Sequence, residues 1–313
     1  MKLAFMYAGQ GSQTVGMGKD FYEAYPEFRE VMDHTDLDFD VKDCCFNGPA
    51  EKLNTTRYTQ PCMVAFAVGV TKILKNKGIV PDMAAGLSLG EYSALHAAGV
   101  FEDQQVISLV AYRGQAMAEA VVDRQCKMAA VINLDREKVQ ACCAQAHEEF
   151  KDQPLNVVEP TNYNCPGQIV ISGDAAPVDR AIELMMEAGA RRCIPLNVSG
   201  PFHTSLMKPA GDKLKERFAN ETFGPMQFPV VFNTLGRTKT EEETIPALLE
   251  KQVQHSIYIE DSIRFMAEQG VDTIVEIGPG TALSKFVKKT CPDITCYSVE
   301  KAEDIDALLE KLA

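Results

Sequence analysis

No apolar run in this 313-residue chain approaches the roughly 20 residues that a membrane-spanning helix needs. The opening stretch from Met1 to Gly9 is too short and too soon interrupted to read as a secretory signal. No association with a membrane is therefore expected, and the cytoplasm is the expected location. Positive charge is scarce: 31 Lys and Arg face 44 Asp and Glu, a net charge of −13. Non-specific nucleic-acid binding needs a basic face and is not expected, although a local basic patch could still meet an acidic partner. Ten cysteines occur without a single C-x2-C pair, so neither zinc nor any other metal is suggested. Without a secretory signal they read as reduced, mostly buried apolar residues. Gly9-Gln10-Gly11 lacks the third glycine of a dinucleotide-binding loop. Internal repeats and low-complexity segments are absent.

What is present is an α/β pattern. Apolar residues make up 46% and charged residues 24%, the usual composition of a globular chain with ample core. Strands are expected at 2–7 and 79–85, and helices at 20–34, 60–77 and 103–122. The rhythm changes after residue 126. Strands at 128–132, 155–158, 168–172 and 192–197 enclose helices at 135–149 and 176–188, with Asp135 as the first helix's N-cap and a polar turn between the middle strands. This β-α-β-β-α-β order is ferredoxin-like. It predicts a small subdomain, 127–198, inserted into a large domain formed by 1–126 and 199–313. The large domain resumes with a helix at 205–219, a strand at 229–233 and two helices within 243–270. A strand at 273–277, a helix at 281–289, a strand at 294–299 and a terminal helix complete it.

The chemistry starts at Gly86-Leu87-Ser88-Leu89-Gly90, a G-x-S-x-G pentapeptide between an expected strand and an expected helix. A sharp strand-to-helix turn of this kind presents a serine nucleophile with its side chain standing clear. The alternative is a glycine-rich loop with an incidental serine. A nucleophilic serine needs a base, an oxyanion hole and a grip on the substrate. Among five histidines, His203 in Gly200-Pro201-Phe202-His203-Thr204 is the leading base candidate and His255 a weaker rival. His34 and His147 lie in polar patterns and read as solvated, and His96 reads as a packing residue. Backbone N–H groups of Leu89 and of Gln10, on the loop after the first strand, could form the oxyanion hole. That loop could equally be a surface turn. Arg113 lies within an apolar helix, where it reads as half of a structural ion pair, as a residue snorkelling to the surface, or as a grip for a carboxylate on the substrate.

Together, Gly9-Gln10-Gly11-Ser12-Gln13, the segment from Gly86 to Tyr92, Tyr112-Arg113-Gly114, the segment from Asn162 to Gln168, Pro201-Phe202-His203-Thr204 and the segment from Glu276 to Gly280 carry a resemblance. In that order they resemble the malonyl-CoA:acyl-carrier-protein transacylases, relatives of polyketide synthase acyltransferase domains. The resemblance implies an α/β-hydrolase-like core with a mainly parallel sheet and a ferredoxin-like insert. It implies a malonyl-serine at Ser88, His203 as general base and acid, Arg113 on the malonyl carboxylate, and Gln10 and Leu89 N–H groups as the oxyanion hole. Gln252, Phe202 and Asn162 would support the site, Phe202 narrowing the acyl pocket toward malonyl. In that family a backbone carbonyl, not an aspartate, orients the histidine. No cofactor is implied: malonyl-CoA is a substrate and the partner, acyl carrier protein, brings its own phosphopantetheine. A monomer serving fatty acid biosynthesis is expected, with a discrete polyketide acyltransferase as the alternative.

Three departures stand out. Leu87 replaces the histidine that usually precedes the serine, and Ala8 replaces a proline in the first loop. His255-Ser256-Ile257-Tyr258-Ile259 replaces an Asn-Pro-Val-x-Trp-like stretch, which puts the backbone after Gln252 and the role of Gln252 in question. A serine hydrolase shares the elbow but needs an acidic triad member and leaves Arg113 unexplained. A non-catalytic carrier-binding scaffold leaves Ser88 and His203 unexplained. For an acidic carrier, Arg191-Arg192 and Lys285, Lys288 and Lys289 are the candidate basic rim.

Overall fold

The computed structural model describes residues 1–122, 124–196 and 200–312. Its central sheet is wholly parallel and holds β1 (Leu3–Tyr7), β2 (Met83–Gly86), β10 (Thr273–Ile277) and β11 (Thr295–Val299) in the order β11-β10-β1-β2. Every residue of β1, β2 and β10 is buried. That accounts for their continuous apolar runs, since a parallel strand is covered by helices on both faces. The helix Thr56–Asn76 packs beneath the sheet against the helix Asp103–Glu119, and Phe21, Phe28 and Phe66 lock the N-terminal helices onto it.

The second sheet holds β3 (Cys126–Ile132), β4 (Val158–Cys165), β5 (Gln168–Asp174) and β6 (Arg192–Pro195) in the antiparallel order β6-β3-β5-β4. Counting these four strands along the chain, the order is 4-1-3-2, the ferredoxin-like topology. The helices Arg136–Phe150 and Ala175–Glu187 cover one face around Val139, Ile171, Val178 and Met185. A hairpin of β7 (Val231–Phe232) and β8 (Arg237–Thr238) follows, and β9 (Ile257–Tyr258) then pairs in parallel with β4. The sheet therefore gains a strand from outside the 126–195 stretch. The end of the sixth expected strand at Asn197 and the proposed junction at 198/199 lie outside the described residues.

Several expected elements differ. The helix expected at 20–34 is two, Lys19–Ala24 and Pro26–Asp33, because Tyr25 is extended ahead of Pro26. Proline's ring disfavours the helical region for the residue before it. The helix expected from 60 starts at Thr56, and short helices at Val41–Asn47 and Ala50–Leu53 lacked a readable period. Asp135 occupies its N-cap position without a capping bond from its side chain. The polar turn expected before Gln168 is mostly strand: β4 begins where the expected strand ended and runs through Asn162 and Asn164 to Cys165. Its polarity has a cause other than a turn. Asn162 and Asn164 face the pocket at Ser88, while Tyr163 enters the apolar core between the second sheet and its helices and stacks on Tyr258.

All ten cysteines are free thiols. Among the described residues no cluster could hold a metal, and no helix is long and apolar enough to cross a membrane.

Candidate active site

The site is built where β2 turns into the helix Gly90–Ala97. Ser88 takes a left-handed backbone conformation, φ 51°, at the tip of that turn. A side chain on Gly86 would stand 2.0 Å from the Gly90 carbonyl carbon, and one on Gly90 would stand 2.2 Å from the Tyr7 carbonyl oxygen. Both glycines of the pentapeptide are therefore steric requirements of the elbow. The first loop comes up beside it. Ala8 donates its N–H to the Ile277 carbonyl at 3.0 Å, a bond the proline usual at that position could not make. The Glu276 carboxylate caps the helix Ala282–Thr290 through the Leu283 and Ser284 N–H groups, so the segment from Glu276 to Gly280 is a structural corner beside the site.

Ser88 Oγ lies 2.7 Å from His203 Nε2. His203 Nδ1 donates to the main-chain carbonyl of Gln252 at 2.7 Å, which leaves Nε2 as the proton acceptor. The histidine is thus oriented by a backbone carbonyl, and the acidic member that a hydrolase triad needs does not occupy that place. His255 is exposed and bonds its own helix at Lys251. His96 pairs with Asp103 at 2.8 Å, away from Ser88. His34 and His147 are exposed on their helices. Burial, reinforced by the Arg113 charge, pushes the His203 imidazole down to about 4. It is therefore the neutral, proton-accepting form at neutral pH.

Arg113 is 1% exposed and reaches the nucleophile from below. Its Nη1 donates to Gln60 Oε1 at 2.8 Å, and its Nη2 to Gln252 Oε1 at 3.0 Å and Ser88 Oγ at 3.2 Å. The guanidinium lies 5.3 Å from the Tyr92 ring centre. No carboxylate is within ion-pair distance of it among the described residues, so the structural partner that sequence reasoning allowed for is missing. The acid most able to neutralise it, Glu91, is itself buried, and desolvation raises its carboxyl to about 8. Glu91 is mainly protonated at neutral pH and leaves Arg113 a buried cation open to an anion.

That raised value has a stability consequence. Folding holds the Glu91 proton more tightly than the unfolded chain does. The contribution is complete below the ordinary value of 4.5 and fades as pH rises toward about 8. Glu91→Gln keeps an acceptor for the Asn233 N–H and has no charge to bury. Its thermal midpoint is expected to exceed the wild type's at pH 8, with the gap closing toward pH 5; equal gaps at both pH values would contradict the burial argument.

Gln10, Leu89, Asn162, Phe202 and His203 line one pocket with Ser88 and Arg113, of about 200 Å3. The Asn162 and Asn164 side-chain oxygens are buried there without a partner among the described residues. Gln10, Leu87 and Leu196 also line a larger groove of about 1060 Å3 that runs past Phe286, Lys285, Lys288 and Lys289. Leu87 therefore stands at the neck between pocket and groove. Its N–H bonds the Tyr7 carbonyl at 3.0 Å, and its side chain packs over Gly9 instead of bonding the Ser88–His203 pair. The altered sequence after Gln252 leaves the geometry intact, since the His203 N–H bonds the Val253 carbonyl at 3.0 Å. Arg191 and Arg192 are exposed at the start of β6 and do not line the groove.

Sequence reasoning missed Gln60, Glu91 and Asn233. Asn233 lies under the elbow and bonds both Gly86 and Ser88. Glu91 was conspicuous in one respect, as the lone acid in a helix whose other residues, His96 apart, are small, apolar or aromatic.

A family model described as acyl transferase domain matches residues 4–307. Malonyl CoA-acyl carrier protein transacylase of Bacillus subtilis is 41% identical over 313 residues, covering 99% of this chain and 97% of that protein. Among solved structures, MCAT from Streptococcus pneumoniae is 46% identical with a TM-score of 0.93, covering 99% of this chain and 100% of that one. A malonyl-transacylase solved with its type II PKS acyl-carrier protein is 37% identical with a TM-score of 0.94, covering 99% of this chain and 100% of that one.

Proposed function

The chain belongs to the acyl transferase domain family, among the malonyl CoA-acyl carrier protein transacylases, and from that premise we propose that it moves malonyl from CoA to a carrier thiol through Ser88. The observation that carries this reading is Arg113, a buried guanidinium with no carboxylate partner among the described residues, bonded to the Oγ that would be acylated. A thioester whose acyl group ends in a carboxylate supplies the missing anion. A plain ester does not.

His203 Nε2 takes the Ser88 proton as Oγ attacks the thioester carbonyl. The tetrahedral oxyanion forms against the Gln10 and Leu89 N–H groups. Each such donor is typically worth about 3 kcal/mol of barrier. The C–S bond breaks, and the departing sulfur takes the proton from His203 to leave as CoA. The phosphopantetheine thiol of the carrier then gives its proton to His203 and attacks the malonyl ester. The C–O bond breaks and Ser88 Oγ regains its proton. Neither half-reaction calls on a metal or a resident cofactor. Gln252 orients His203 through its carbonyl and Arg113 through its carboxamide, and Phe202 and Asn162 bound the acyl pocket. In this reading the malonyl carrier thioester feeds fatty acid biosynthesis in the cytoplasm.

The experiment is to mix the protein with malonyl-CoA and map the adduct by mass spectrometry. One malonyl group is expected on the peptide containing Ser88, discharged on adding carrier protein bearing phosphopantetheine. No adduct, or discharge to water at the same rate without the carrier, would overturn the reading.

The exposed Lys285, Lys288 and Lys289 flank the groove leading to Ser88. They suit an acidic carrier delivering its arm along that groove. Lys285→Glu with Lys288→Glu is expected to raise the KM for carrier protein several-fold with little change in that for malonyl-CoA. Equal shifts in both constants would remove this face from the docking account.

A further inference from the structure

We propose that Asn233 is a positioning residue for the nucleophile, its carboxamide clamping the two ends of the Ser88 elbow. The inference rests on the reading of Ser88 as the acylated residue.

Asn233 is fully buried at the end of the β7 strand. Its Nδ2 donates to the Gly86 carbonyl at 2.7 Å, and its Oδ1 accepts the Ser88 N–H at 2.7 Å. One planar amide therefore bridges the residue before the turn to the residue at its tip. Its main chain is engaged as well. The N–H donates to the Glu91 carboxyl, and the carbonyl accepts the Tyr258 N–H at 2.8 Å. Gln252 completes the clamp from the other side, with Nε2 on the Ser88 carbonyl at 2.9 Å and 3.4 Å from Asn233 Oδ1. Both peptide groups of Ser88 are thus held by buried carboxamides.

Ser88 is a non-glycine residue with φ 51°. Such a conformation persists only where its surroundings over-determine it. Asn233 supplies one donor and one acceptor from a single planar group, spaced to meet the Gly86 carbonyl and the Ser88 N–H together. Its hold has a second result. With the Ser88 N–H committed to Oδ1, the oxyanion donor in the proposed mechanism is the next N–H in the chain, that of Leu89, a residue of the pocket wall.

The test uses Asn233→Asp and Asn233→Ala, with Glu91, Tyr92, His203 and Arg113, ionisable groups around the elbow, left in place. An ionised aspartate accepts from Ser88 N–H but cannot donate to Gly86, whereas a protonated one does both, as asparagine does. Asn233→Asp is expected to lose about 100-fold in kcat near pH 8, the scale of a small misplacement of a reacting atom. Relative to the wild type measured at the same pH, its activity should climb as pH falls to 5. Asn233→Ala should show the same loss without that recovery, and KM for malonyl-CoA should stay near the wild type's in both. A flat relative profile for Asn233→Asp, or near-normal kcat for Asn233→Ala, overturns the inference, and so does failure of both variants to fold, since the residue would then serve the fold alone. A wild-type protein that forms no malonyl adduct at Ser88 would instead refute the reading beneath it.

Discussion

Replacing Arg113 with alanine is expected to lower malonyl transfer far more than acetyl transfer. The guanidinium is buried, already aimed at Ser88 Oγ, and held by the Gln60 and Gln252 carboxamide oxygens, so its fork is set before substrate arrives. A charge-assisted, bidentate pair with the malonyl carboxylate would form out of water. Removing one partner of a buried pair costs about 3–5 kcal/mol, which is about 150- to 5,000-fold in rate. Acetyl-CoA is the internal control. It shares the thioester, the nucleophile and the groove but not the carboxylate. Any damage to Ser88 or His203 lowers both rates, whereas loss of the grip lowers the ratio. Arg113→Lys should fall between, since it restores charge without the planar fork. Arg113→Met adds a second readout. The native site keeps a desolvated cation without a counter-ion among the described residues, so this variant should match or exceed the wild-type Tm while losing malonyl transfer. An unchanged malonyl-to-acetyl ratio in Arg113→Ala would sink the grip.

The parts of this site that could be read from sequence are those whose chemistry forces a local pattern. Ser88 needs small residues on both sides because the strand, the helix and Tyr7 close on it, and that need is written as G-x-S-x-G. Arg113 stood out because a charge inside an apolar helix demands a reason. His203 was a choice among histidines that only the resemblance narrowed, and its left-handed φ of 63° has no signature in the neighbouring residues. Asn233 and Gln60 act through neutral amides brought together from separate segments, and Gln252, a third such amide, was named only by the resemblance. An amide at the end of a short apolar strand looks the same whether it meets water or Ser88. The same limit explains β4. Its polar residues suggested a turn because alternation toward a polar pocket and exposure to solvent leave identical patterns. Topology at the level of the second sheet was legible, since its strands and helices kept their order. The strand β9 was not, because a two-residue pairing with Asn162 and Tyr163 depends on how a segment nearly a hundred residues further along the chain is placed.

Removing the His203 imidazole is expected to produce a loss of about 10^4- to 10^6-fold in kcat, the range seen when a nucleophile loses its base. The pH profile carries the more specific expectation. A histidine ordinarily changes charge near 6.5, but burial first and Arg113 second bring this one to about 4. The wild-type rate of Ser88 acylation should therefore stay flat from pH 8 down to about 5 and fall only as the imidazole protonates near 4. The linkage to stability has the same sign. Holding His203 neutral favours the unprotonated form in the fold, so its contribution is intact above about 6.5 and is lost as pH falls toward 4. Arg113 connects the two predictions of this Discussion. Without its charge one of the causes depressing His203 is gone, so the acid limb of Arg113→Met should move to higher pH even with acetyl-CoA, which has no carboxylate for the guanidinium to hold. Quenched-flow measurement of acetyl-enzyme formation against pH, for wild type and Arg113→Met, reads that displacement directly. Coincident acid limbs would mean that burial alone sets the histidine and that the two groups are not coupled. A displaced limb would show that the same buried cation selects the acyl group and keeps the base unprotonated.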